Sequence, residues 1–148
     1  QNIGAGELKR AKKTMTPGLM IALGISALVF IIVEIFPREL LTLFTSETDV
    51  VETGITFLRL AAAEYMIVTP VFCMNGLAIG AGYTNVALLN AISSSIIIRV
   101  PLAYLLVRVF DLGFNGIGIA MGFAPIVSLF IGIIFVQSGK WKKAKIRL

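Results

Sequence analysis

The sequence predicts an all-α bundle of four membrane spans, and three observations carry that prediction. Of 148 residues, 57% are hydrophobic and only 14% charged, against roughly a quarter charged in soluble domains. The apolar residues fall in four long blocks, each near the roughly 20 residues that cross a bilayer as a helix, and the mean hydropathy is +0.94. None of the blocks shows the polar face of a soluble amphipathic helix. Nine of the 13 Lys and Arg lie at the two ends of the chain, the pattern that marks cytoplasmic flanks.

In chain order, residues 1–16 form a polar basic segment. Gln1-Asn2-Ile3-Gly4-Ala5-Gly6 reads as the tail of a preceding helix closed by glycine, and residues 7–13 as a short helix along the cytoplasmic surface. The start at Gln1 suggests a piece of a longer protein. The first span is expected over 17–36, with Pro17 in its first turn, where a missing N–H costs nothing, and Glu34 solvated at its rim. Pro37 stops it. Residues 38–49 make an external loop whose apolar run 40–44 lies at the interface, and Ser46 with Asp49 resembles a capping box for the next helix. The second span is expected over 55–79, with Glu47, Asp49 and Glu52 favoured by the dipole at its start. A tight turn follows at 80–85.

The third span is expected over 86–110, followed by a short loop at 111–116. The fourth runs over 117–136 and ends in the basic tail 137–148, where Trp141 suits the headgroup level. Four spans with basic residues at both ends place both ends in the cytoplasm of a multi-pass cell-membrane protein. Gly76 with Gly80, and Gly118 with Gly122, have the small-xxx-small spacing of close helix contacts. Ile-Gly-Ala-Gly occurs twice, at Ile3 and at Ile79, which is too short to establish a repeat.

The second and third blocks read as an antiparallel hairpin carrying an acid in one arm and a base in the other. Glu64 lies nine residues below position 55, roughly 14 Å at the helical rise. Arg99 lies eleven residues below position 110, roughly 16 Å, so neighbouring arms bring the charges to one level. Charges at membrane depth face a protein interior or a wet cavity, and such a pair serves either as a cavity site or as a structural clamp. Asn75 lies eleven residues after Glu64, nearly a whole number of turns, and shares its face. Asn90 and Ser93-Ser94-Ser95 make the third span polar on its inner half. Pro70 and Pro101 each remove a backbone donor and kink their helices. Carbonyls freed in this way are tolerated at membrane depth where they line a cavity.

Some chemistry is excluded. With one cysteine, Cys73, and no histidine, the chain offers no intrachain disulfide and no Cys/His metal site. No acid pair or nucleophile–base set points to an enzyme, so no catalytic residue and no bound cofactor is expected. The net charge of +5 sits at span ends and makes no face for nucleic acid; the expected surrounding is a lipid bilayer.

Three motifs together resemble the multidrug and toxic compound extrusion (MATE) family. They are Gln1-Asn2-x-Gly4-Ala5-Gly6 with Arg10-Ala11; Leu58-Arg59-Leu60 with Gly80-Ala81-Gly82-x-Thr84; and Arg99-x-Pro101-Leu102-Ala103-Tyr104-Leu105-Leu106 with Gly113-x-x-Gly116-Ile117. The resemblance implies twelve helices in two six-helix lobes, of which this chain supplies helices nine to twelve. Its partners would be the N-terminal lobe and helices seven and eight. It further implies export of small organic cations and drugs in exchange for Na⁺ or H⁺ by alternating access between the lobes. Where the family carries a cation-binding acid in this lobe, this chain has Thr69 and Pro70, which leaves Glu64 as the deep acid. Two other readings compete: a lipid-linked saccharide flippase of the same superfamily, which would need a large cationic cavity, and a small membrane protein acting through helix association.

Overall fold

The computed structural model describes residues 1–143; the expected tail cations Lys145 and Arg147 lie outside it. Its regular elements are all helical: α1 (Leu8–Ile35), the short α2 (Pro37–Thr42), α3 (Thr48–Gly80), α4 (Thr84–Arg108) and α5 (Gly113–Gln137), then a 3₁₀ turn at Lys140–Lys142. α1, α3, α4 and α5 are each long and apolar enough to cross a membrane. The four expected spans are present, and three of them extend well beyond their apolar blocks.

The extensions correct the sequence reading at three places. The basic segment before the first block is no separate surface helix, because α1 begins at Leu8 and runs through it unbroken. Pro17 therefore lies inside α1, and the carbonyl it leaves unpaired belongs to exposed Lys13, where solvent can take its place. At the start of α3 the N-cap residue is Glu47 without a side-chain cap, so Ser46 and Asp49 form no capping box; instead Thr45 Oγ1 accepts from the Glu47 N–H at 3.2 Å. α5 starts at Gly113 inside the expected loop, after a tight reversal in which Asp111 and Gly113 take φ of 54° and 53°.

α3 is the centre of the bundle, packed between α1 and α5. The hairpin of α3 and α4 touches mainly near its turn, where the first part of α4 contacts α3. The outer part of α4, Arg99–Arg108, packs chiefly on α5. The two arms are thus splayed, and α5 enters between them. Small residues make that entry possible. Ala62, Ala78, Ala120 and Ala124 are fully buried, and a Cβ built on Gly118 would stand 2.9 Å from Leu60 Cδ1. A Cβ on Gly132 would stand 2.6 Å from the Met74 sulfur. In lipid the close fit itself holds helices together, since burying apolar surface gains nothing over the acyl chains. Gly122 and Gly76 have no such neighbour, so of the four glycines picked out by spacing only Gly118 makes a close contact.

The two Ile-Gly-Ala-Gly segments close in the same way. The Glu7 N–H donates to the Asn2 carbonyl and Gly6 to Ile3; Tyr83 donates to Ala78 and Gly82 to Ile79. Gly6 and Gly82 take positive φ, 75° and 81°, as the αL residue of a Schellman closure requires. Both closures meet in one apolar cluster with Ile3, Leu77, Ala78, Ala81, Phe135 and Trp141. Trp141 is buried there and donates from Nε1 to the Val136 carbonyl at 3.1 Å. It plugs the end of the bundle.

Candidate functional site

The splay of α3 and α4 opens a cleft floored by α5, and polar residues from all three helices line it. Glu64, Asn75, Asn90 and Arg99 all line one cavity of about 210 Å³. Glu64 and Asn75 come from one face of α3, three turns apart. Asn90, Ser94, Ser95 and Arg99 come from α4, and Pro125 and Ser128 from α5.

Arg99 Nη2 donates to Glu64 Oε1 in a direct ion pair across the mouth of the splayed hairpin. The Glu64 side chain is 13% exposed and that of Arg99 31%. At such depth the pair is screened far less than a surface pair. About three turns nearer the turn of the hairpin, Asn90 donates from Nδ2 to Asn75 Oδ1 at 2.6 Å, and its own carbonyl accepts from Ser128 Oγ at 2.9 Å. Asn90 is 1% exposed, so these bonds tie three helices at a point sealed from solvent. Two buried polar atoms in the cleft have no protein partner, Asn90 Oδ1 and Arg99 Nε. A buried acceptor without a donor costs about 1–3 kcal/mol, so a ligand or water that satisfies it is favoured there.

The third span is not uniformly α-helical. Ser93–Ile98 is a π-helical segment between α-helical halves, and the Arg99 N–H donates five residues back, to the Ser94 carbonyl. Pro101 explains its position: the ring has no N–H to give and crowds the carbonyl four residues before it, and a widened turn just ahead relieves the crowding. α3 stays helical from Thr48 to Gly80 across Pro70, and in α4 Pro101 follows directly on the π turn.

Sequence reasoning missed Ser128 and Pro125. Both interrupt an otherwise unbroken apolar block, and that interruption was the available signal. Glu34, expected to be solvated at the rim of the first span, is part-exposed and also has a partner: Arg59 Nε lies 3.3 Å from Glu34 Oε2 and a second Arg59 nitrogen donates to the Glu34 carbonyl. Arg38 pairs with Glu52 near the same end of α3. A larger, mostly apolar groove of about 630 Å³ lies beside it, lined by Leu41, Asp49, Phe57 and Phe114, but few polar groups converge there.

The MatE family model matches residues 1–105, which include α1, α3 and the cleft residues up to Arg99. The chain belongs to the MatE family. Among its MatE-type relatives, the "Probable multidrug resistance protein NorM" of Thermotoga maritima is 27% identical over 140 residues, covering 95% of this chain and 30% of that protein. The "Probable multidrug resistance protein YpnP" of Bacillus subtilis is 29% identical over 147 residues, covering 99% of this chain and 32% of that protein. The chain therefore spans about a third of the length of the curated relatives it matches. No solved structure gives a significant match.

Proposed function

We propose that this chain works as helices nine to twelve of a MatE-type exporter that drives small organic cations out of the cell in exchange for Na⁺ or H⁺. Eight further helices would complete the path. The observation that carries the reading is the convergence of Glu64, Asn75, Asn90 and Arg99 on one cleft. Each such group is expensive at membrane depth, and these four line a single cleft although they come from two different helices. The family and the names of the relatives support export; the cleft supports ion coupling.

The cleft suits the coupling ion better than the drug. Pockets for drug-sized ligands enclose roughly 300–1,000 Å³, and the cleft holds about 210 Å³. Glu64 supplies the negative charge, and Arg99 occupies the carboxylate when no ion is bound. Asn75 lies about three turns, roughly 16 Å, along α3 from Glu64, so its pair with Asn90 lines the other end of the cleft and does not share an ion with Glu64. Loading an ion then requires Arg99 to leave, which links occupancy of the cleft to the conformation of α4. The net neutral Glu64–Arg99 pair argues against the flippase reading, which needs a cationic cavity.

The test is efflux of ethidium from cells expressing the full-length transporter under imposed Na⁺ or pH gradients. Glu64→Gln is expected to reduce gradient-driven efflux at least about tenfold, the loss of a charged interaction of roughly 1.5–3 kcal/mol, with normal insertion into the membrane. Undiminished efflux from that variant would refute the role of Glu64.

A further inference from the structure

The π-helical segment decides which way Arg99 faces. In an unbroken α-helix, nine residues separate Asn90 and Arg99 by about 900°, half a turn out of register, so the two would lie on opposite sides of α4. A π turn takes up one extra residue and removes about 100° of that rotation, leaving Arg99 about 80° from Asn90. Only the second register allows Asn90, Ser94 and Arg99 to line the same cleft, as they do. The Glu64–Arg99 pair thus exists because Ser93–Ile98 is wound as π.

We propose that this segment is a register switch: rewinding Ser93–Ile98 to α turns Arg99 away from Glu64 and frees the carboxylate for the coupling cation. The inference rests on the reading that Glu64 takes part in ion coupling, and it adds the device that exposes the acid. The change has to remake one contact, because Arg99–Arg108 packs on α5 with Leu106 and Val107 tight against Gly116. Within and just after the segment, Ile96, Ile97 and Val100 are each about 60% exposed (61%, 58% and 60%), so little of this chain's own packing opposes their turning. The hydroxyls of Ser93, Ser94 and Ser95 are placed to take backbone groups released during the change, as hydroxyls do at irregular turns in membrane helices. The switch runs in both directions. With Arg99 on Glu64 the π register is held by the ion pair; with a cation on Glu64 that hold is lost and the α ladder, with its better hydrogen bonds, prevails.

The length of the segment allows the switch to be tested apart from the pair. Deleting Ser95 removes the extra residue, so α4 becomes α throughout while Arg99 keeps its bearing about 80° from Asn90. The pair survives and the alternative register is gone. In the full-length transporter, the Ser95 deletion is expected to lower ethidium efflux about tenfold or more under the gradient that drives the unaltered protein. Pro101→Ala acts in the opposite sense: it restores a donor for the Ile97 carbonyl and favours α winding. It is expected to lower the half-saturating concentration of the driving cation, read as a Na⁺ titration at fixed pH or a pH series without Na⁺, about fivefold or more. A Ser95 deletion that inserts and transports at the unaltered rate overturns the proposal. Should that variant fail to insert, an unchanged half-saturating concentration in Pro101→Ala overturns it. If either result comes with impaired efflux in Glu64→Gln, the register switch falls and the role of Glu64 stands. If Glu64→Gln transports normally, the underlying reading falls first.

Discussion

Glu64 and Arg99 set the energetics of the cleft. Removing one partner of a partly buried pair leaves a charge with no counter-ion, and this costs more than removing both. Arg99→Gln and Glu64→Gln are each expected to lower the melting temperature of the detergent-purified transporter. The double variant should recover part of the loss, with a coupling of about 1–3 kcal/mol; additive losses would mean that the pair contributes nothing to the fold. The residue types and their depth were legible in the sequence, because a charge in a greasy block has few places to go. The unpartnered Asn90 Oδ1 and the bond from Ser128 were not, since each depends on which face of α5 meets α4.

At the scale of the element, α5 owes its place to glycine. Gly118 lies against Leu60 and Phe57 with no room for a Cβ, while Gly122 one turn later has open space around it. Gly118→Val is therefore expected to push α5 off α3 and destabilise the bundle by about 1–3 kcal/mol, and Gly122→Val to stay within about 0.5 kcal/mol of the unaltered protein. Thermal unfolding of the two purified variants checks the contrast, and equal losses would show that α3 and α5 do not meet as described. Spacing alone picked both glycines. Which one is used depends on the crossing of two helices, and no window of one helix contains that information. The π turn is a similar case: Pro101 gave notice of a disturbance, but only the folded α4 shows that it takes the form of a π turn and so turns Arg99 toward an acid thirty-five residues away.

For the whole molecule, the placement of charge predicts an orientation. Basic residues before and after the bundle favour the cytoplasm, while Glu47, Asp49 and Glu52 cluster at the opposite end of α3. In a Cys73→Ser background, a cysteine at exposed Thr53 is expected to react with a membrane-impermeant maleimide added to intact cells, and one at exposed Thr84 only after permeabilisation. The reverse pattern would invert the topology and put the cleft in the inner half of the membrane.

By itself the sequence determined the class of the protein, the number of spans and the depth of its polar residues. Those follow from composition and from a fixed helical rise, which are local quantities. Only the tertiary structure decided that α5 parts the hairpin, that α4 changes winding before Pro101, and that four scattered side chains close on one cleft. Each of those depends on helices separated in the chain meeting face to face, where a single Cβ or one extra residue in a turn changes what touches what.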